Sequence, residues 1–119
     1  MEQIEFEKMV EALAKDGALI LEEMTPKQMH ELHMSVGVSG EAGELIDAVK
    51  KNCIYQKPLD LENVIEELGD LEFYMEGLRQ SLSITREQTI EANITKLGKR
   101  YSSGTYSDDQ AQQRADKEG

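Results

Sequence analysis

Two pairs of carboxylates stand out because the acids of each pair are three residues apart. The first pair is Glu41 and Glu44, and the second is Glu67 and Asp70. Residues three apart on an α-helix project from one face, so each pair would place two like charges side by side. Carboxylate oxygens are the ligands that hard divalent cations such as Mg²⁺ and Mn²⁺ prefer. The four acids are therefore candidate metal ligands, and a solvated acidic face is the alternative.

Glycines accompany both acid pairs. Gly43 lies inside the first pair and Gly69 inside the second, while Gly37 and Gly40 precede the first pair on the same segment. Each glycine within a helix costs about 1 kcal/mol relative to alanine. We therefore expect another group to approach the backbone closely between residues 37 and 43, and we expect the small residues to leave room for a ligand.

The first acid pair also supplies the candidate catalytic residues. A metal site that activates water also needs a group that accepts a proton from that water, and a carboxylate can do so. Glu41 and Glu44 both suit this role, and the sequence does not choose between them.

The candidate substrate-binding residues are basic or polar. Two lie on the segment of the first acid pair, and three lie between residues 85 and 101. Asn93, Lys96 and Arg100 are spaced to share one helix face, where they would form a clamp for phosphate. Basic residues near a helix C-terminus also complement its dipole, which is the structural alternative. Lys51, on the stripe of the first acid pair, and His33 complete the candidate set.

Long helices must position these residues. We expect helices over residues 2–15, from Thr25 to about Tyr55, from Asp60 through an apolar seam ending at Leu82, and from Thr85 to Tyr101. The connection over residues 56–60 is short, so the second and third helices should pack antiparallel and bring the two acid pairs face to face. No alternating strand pattern of useful length occurs. The sequence therefore predicts an all-α fold, an antiparallel bundle of four main helices.

The chain divides into three parts in this interpretation. Residues 1–24 form an N-terminal helical extension, residues 25–101 the metal-binding core, and residues 102–119 a polar tail. Ser107 can cap one short helix in the tail. Gly104 offers a hinge there, so we expect the tail either to close over a bound ligand as a partial lid or to remain a solvated terminus.

Composition excludes several classes of function. The 119 residues include 24 acidic and 13 basic side chains, which gives a net charge of −11. Such a surface repels phosphate backbones and anionic lipid, so we expect no nucleic acid polymer and no membrane as partner. The opening residues lack the features of a signal peptide, and Cys53 is the only cysteine. We expect a cytoplasmic protein.

The third helix also bears on assembly. Its seam places leucine, valine and methionine at steps of three and four from Leu61 to Leu82. One thin bundle would not cover this much apolar surface, so we expect a homodimer or a homotetramer.

Taken together, these motifs resemble those of the MazG-like all-α nucleotide pyrophosphohydrolases. The resemblance rests on the run GEAGEL at 40–45, the run EELGD at 66–70, and the pattern N-x-x-K-L-x-x-R-Y at 93–101. It covers about residues 25–116 and is closest to the short single-domain members of bacteria and phages.

The resemblance implies hydrolysis of a (deoxy)nucleoside triphosphate to its monophosphate and pyrophosphate, with Mg²⁺ as cofactor and Mn²⁺ as a substitute. It implies a dimeric helical bundle whose active site is near the subunit interface. The implied metal ligands are Glu41, Glu44, Glu67 and Asp70, and the implied substrate contacts are Asn93 and Lys96, with Arg100 a weaker correspondence. Two alternatives remain open: a pyrophosphohydrolase of another phosphoanhydride such as phosphoribosyl-ATP, and a non-catalytic acidic helical dimer that binds a partner protein.

Overall fold

The computed structural model describes residues 5–117, and within that range every regular element is helical. The elements are α1 (Phe6–Leu13), α2 (Gly17–Glu23), α3 (Pro26–Cys53), α4 (Leu61–Ser81), α5 (Arg86–Arg100), α6 (Asp108–Gln113) and a 3-10 turn (Ala115–Lys117). The predicted all-α class is confirmed. Between residues 5 and 117, no helix combines the length and the apolar character needed to cross a lipid bilayer.

Capping residues fix where α3 and α5 begin. Thr25 Oγ1 accepts a hydrogen bond from the Gln28 backbone N–H at 3.1 Å, and the Gln28 side chain accepts one from the Thr25 N–H at 3.0 Å. The same reciprocal pair joins Thr85 and Gln88, at 3.0 and 2.7 Å. Each box satisfies two backbone donors that a helix otherwise leaves unpaired. The predicted starts of both helices are confirmed.

The α3 and α4 helices form an antiparallel hairpin in a constant register. Glu31 and Ser81 lie opposite each other at one end, with 3.5 Å between the Ser81 hydroxyl and Glu31 Oε1. Further along, the Met34 sulfur lies against Gly77, where a Cβ would not fit. At each of these contacts the residue numbers of the two partners add up to nearly the same value. Antiparallel helices that keep one register have this property. The short connection thus produces the predicted hairpin.

The expected close approach to the glycine-rich part of α3 occurs at one position. A Cβ added to Gly37 would lie within 2.5 Å of three ring atoms of Tyr74 on α4. Gly40 and Gly43 face open space, with no neighbouring atom within 4 Å of an added Cβ. The absence of a side chain is therefore required for helix packing at Gly37 alone among these three glycines.

The predicted four-helix bundle is not confirmed for the single chain. Six α-helices are present among the described residues, because Asp16 caps a separate helix, α2, by accepting a hydrogen bond from the Ala18 N–H at 3.0 Å. The first helix begins at Phe6, and the expected start at residues 2–4 lies outside the described residues. Helix α5 packs against the 3-10 turn and α6 rather than against α3.

A single chain is extended and buries little. Its radius of gyration is 20.4 Å, where a compact domain of this length would have about 13–14 Å. Its accessible surface is 9796 Å², against roughly 6,500 Å² for a compact monomer of this mass. Among the described hydrophobic side chains only Met34 and Ala48 are buried, and Leu61, Leu68 and Leu82 of the α4 seam are exposed. Most of the apolar surface therefore lacks a partner within the chain.

Candidate metal centre

Three acids from the two helices of the hairpin converge on one point. Glu41 from α3 and Glu67 and Asp70 from α4 each offer a carboxylate oxygen, and these oxygens lie within 4.8 Å of one another. The antiparallel register places position 41 opposite position 70, and Glu67 lies one turn before Asp70 on the same face. The hairpin thus brings together three of the four acids that the sequence singled out.

The electrostatics of the cluster suit a cation. One of the two Glu67 carboxylate oxygens, Oε2, is buried and has no hydrogen-bond partner among residues 5–117. The pKa of Glu67 is raised above its ordinary value, first by hydrogen bonding with Glu41, then by burial, and then by the negative charges of Glu41 and Asp70. An orphaned carboxylate oxygen among converging acids is the donor set that Mg²⁺ or Mn²⁺ takes. The residues present therefore fit a hard divalent cation.

Glu44 lies outside this group of three acids. It follows Glu41 by one turn on α3, and it is exposed. Neighbouring Gly43, and Gly69 on the facing helix, both leave open space where a side chain would otherwise stand. The rim of the cluster therefore has room for a ligand, as the sequence indicated.

The α5 candidates lie apart from the acids within one chain. Asn93 borders a cavity of about 480 Å³ that Met75 and Ile90 also line, between α4 and α5. Lys96 borders a different cavity, of about 470 Å³, beside Asp116 and Lys117 of the tail. Because α5 does not pack extensively against α3, one chain alone does not bring these residues onto the acid cluster.

Arg100 is held by the C-terminal tail. Its Nε donates to Asp116 Oδ1 at 2.7 Å and its Nη2 donates to Asp116 Oδ2 at 3.2 Å. The Asp116 side chain is only 4% exposed and that of Arg100 is 17% exposed. The paired guanidinium lowers the pKa of Asp116. Sequence reasoning missed this partner because sixteen residues separate the two and no periodic pattern links them.

The tail itself is folded among the described residues. Ser107 Oγ accepts a hydrogen bond from the Gln110 N–H at 3.0 Å, so the short helix expected from this cap is present as α6. Gly104, the proposed hinge, has φ +80, a conformation that favours glycine. Arg114 ends α6 in the left-handed region at φ 52. The closure of this tail over a nucleotide remains a prediction.

The last two candidates lie on α3 at either side of Glu41. His33 precedes it by about 12 Å along the helix axis, and its ring centroid is 6.3 Å from that of Tyr74. Lys51 follows Glu41 by about 15 Å, and its Nζ is 3.5 Å from Asp47 Oδ2. Neither belongs to the acid cluster, and their roles as substrate contacts remain predictions.

Comparison with protein families agrees with this arrangement. The model of the MazG nucleotide pyrophosphohydrolase domain matches residues 28–104, which is well over half of the chain. That range contains all nine candidate residues discussed above. No curated protein and no solved structure matches the chain.

Proposed function

Because this chain belongs to the MazG nucleotide pyrophosphohydrolase family, and so is a hydrolase of nucleotide phosphoanhydride bonds, we propose that its substrate is a (deoxy)nucleoside triphosphate. The products are then the monophosphate and pyrophosphate, and the cofactor is Mg²⁺. The observation that carries this proposal is the convergence of Glu41, Glu67 and Asp70 around a buried carboxylate oxygen without a partner.

The metal-holding residues of the proposal are Glu41, Glu67 and Asp70, joined by Glu44 from the rim. When bound, Mg²⁺ supplies the positive charge that lets a polyphosphate approach an otherwise repulsive set of carboxylates. The helix hairpin holds three of these acids within 4.8 Å before any ligand arrives, so little reorganisation accompanies binding.

A carboxylate of α3 accepts the proton from the attacking water. Glu41 belongs to the cluster together with Glu67 and Asp70. Glu44 is one turn further along α3, is exposed, and lies outside these three acids. Because Glu44 would hold the cation only from the rim, its carboxylate is the freer of the two to take a proton, which favours Glu44. The Glu44→Gln variant should then lose turnover more than Mg²⁺ affinity, and Glu41→Gln should lose both.

A homodimer or homotetramer completes the proposed site. Within one chain α5 does not pack extensively against α3, and most apolar surface is uncovered. A second copy that packs on the hairpin would bring the partner subunit's Asn93 and the partner subunit's Lys96 toward the acids, where a lysine stabilises charge on phosphate oxygens. Arg100, held by Asp116, would then act on substrate only after the tail releases it.

The charge of the chain supports a small anionic substrate rather than a large one. With a net charge of −11, the surface repels a nucleic acid polymer or an anionic bilayer, while one cation neutralises about half of the charge of a single nucleoside triphosphate. Cys53 is free and exposed, which suits a reducing compartment, and a cytoplasmic location belongs to the proposal.

A nucleotide panel with Mg²⁺, analysed by separating the products, tests the proposal. Release of pyrophosphate and monophosphate from one or more triphosphates is the expected result. Release of pyrophosphate from phosphoribosyl-ATP alone would identify that compound as the substrate instead. No hydrolysis of any member, together with no effect of Mg²⁺ on thermal stability, would overturn the metal-dependent reaction.

A further inference from the structure

Residues 5–24, which we call the N-terminal arm, form two helices with an apolar face and no use in the proposed reaction. Apolar side chains recur on α1 at steps of three and four: Phe6, Met9, Val10 and Leu13. All four are exposed, and Phe6 and Leu13 remain 72% and 76% accessible. A helix with such a face is stable in water only when another apolar surface covers it.

The arm is nonetheless well defined. Asp16 caps α2 through the Ala18 N–H at 3.0 Å, and Lys15 Nζ, just before α2, lies 3.2 Å from Oε2 of Glu23, the last residue of α2. Among the described residues, the extensive helix contacts are those of α3 with α4 and of α5 with the tail. The arm takes no part in them. The arm therefore presents an ordered apolar face without a covering surface in its own chain.

A second set of exposed apolar side chains lies at the opposite end of α3. It consists of exposed apolar side chains at the end of α3 and in the following connection, which we call the docking patch: Ile46, Val49, Ile54, Tyr55 and Leu59. The connection is fixed in place, because the Gln56 side chain donates to the Cys53 carbonyl at 3.0 Å and Asn52 Nδ2 donates to the Lys57 carbonyl at 2.8 Å. The docking patch is thus preformed.

Charge makes the arm and the docking patch complementary. The arm carries six acidic and two basic side chains. Along residues 46–60 the docking patch is accompanied by three lysines, Lys50, Lys51 and Lys57, and by two acids, Asp47 and Asp60. In a chain with a net charge of −11 such a basic border is uncommon, and an acidic amphipathic helix is the ligand it suits.

The length of α3 determines which copy the arm can reach. Its 28 residues span about 42 Å, with the arm at its first residue and the docking patch at its last two turns. The arm and the docking patch of one chain are therefore far apart. A two-fold axis perpendicular to α3 would set the α3 of a second copy antiparallel to the first, which places each arm beside the other chain's docking patch.

We propose that the N-terminal arm of one copy docks by its apolar face on the docking patch of a second copy, and that the second arm does the same in return. The area suits this exchange: the chain exposes roughly 3,000 Å² more than a compact monomer would, and a standard interface needs only about 800 Å² per partner. This inference rests on the proposed homodimer and goes beyond it, because it assigns a role to residues outside the reaction.

Cys53, the only cysteine, permits a direct test because it is exposed and lies one turn after Val49. A chain with Met9→Cys and Cys53→Ser is co-expressed with the wild-type chain, and the purified protein is treated with a short bismaleimide. We expect a covalent pair of chains from the mixture, and none from either chain alone. The matched control is Glu11→Cys with Cys53→Ser, which places the thiol on the polar side of α1 and should give little product.

The outcomes separate this inference from the proposed function. Light scattering that returns one chain mass would overturn both the homodimer and the docking. A dimer in which the two arm positions cross-link equally, or not at all, overturns the docking alone. Ile54→Asp should abolish the cross-link from Met9→Cys while pyrophosphate release per chain stays within about twofold, and an unchanged cross-link in that variant contradicts the docking patch.

Discussion

The ring of Tyr74 lies against the backbone of Gly37, so closely that no side chain fits between the two helices at this point. Gly37 is one turn before Glu41 on α3, and Tyr74 is one turn after Asp70 on α4. The contact is therefore a point of close approach between α3 and α4 one turn from the acid cluster. A change in helix separation at this point would be felt by the carboxylates that project from the next turn.

Replacement of Gly37 by alanine should separate the helices at this contact. The added methyl overlaps three ring atoms of Tyr74, and overpacking of this kind costs about 1–3 kcal/mol, while the better helix propensity of alanine returns about 1 kcal/mol. We expect a lower Tm and weaker Mg²⁺ binding. Gly98→Ala, in α5 with open space around it, is the control and should keep or raise the Tm. A Gly37→Ala protein as stable as the Gly98→Ala protein would show that Tyr74 simply rotates away.

Loss of the charge at Glu67 should abolish the metal dependence. Glu67→Gln keeps the size of the side chain and removes a negative ligand from the cluster. Changes to groups that only support metal ligands already cost 10–100-fold, so we expect at least about a 100-fold loss of kcat/KM. Mg²⁺ should also raise the Tm of the variant less than that of the wild type. Glu66→Gln, one residue away and exposed, is the control; equal thermal shifts in all three proteins would contradict the ligand assignment.

The raised pKa of Glu67 predicts a pH dependence of the metal-free protein. A carboxyl whose pKa rises on folding binds its proton more tightly in the folded state, so its ionisation destabilises that state. The penalty is absent below the ordinary pKa of 4.5 and complete above the raised value. In EDTA, the Tm difference between Glu67→Gln and wild type should therefore grow as the pH rises from 4.5. A Tm difference that stays constant over this pH range would show that ionisation of Glu67 does not destabilise the folded state.

The tail should detach when Asp116 loses its charge. The pKa of Asp116 is lowered chiefly by its hydrogen bonds with Arg100, so the pairing stabilises the docked tail above the ordinary pKa of 3.8 and is lost as the pH falls through the lowered value. Asp116→Asn should speed amide exchange in α6, and the difference from wild type should shrink only below about pH 4. Asp109→Asn, exposed at the start of α6, is the control. Equal exchange in Asp116→Asn and wild type at pH 7 would mean that Arg100 does not hold the tail.

Local chemistry made several features of this molecule predictable. The start of α5 at Thr85 follows from one capping box, and the acid cluster follows from two three-residue spacings on helices joined by a short connection. Helix α2 departs from the expected single helix over residues 2–15, because Asp16 caps a second helix that begins at Gly17. The pairing of Arg100 with Asp116 is a tertiary contact, and no spacing rule encodes it.

The placement of Met34 and Ala48 as the buried apolar side chains among the described residues bears on how the chain reaches its final state. A newly made chain can form its helices quickly, since their hydrogen bonds are local, and the short connection between α3 and α4 favours the hairpin. In the proposed homodimer, most of the apolar surface would be covered only after an encounter with a second chain, so the late phase of refolding would be second order in protein concentration. At low expression the same surface would be open to chaperones and proteases for longer. The rate of synthesis would then affect the yield of native homodimer.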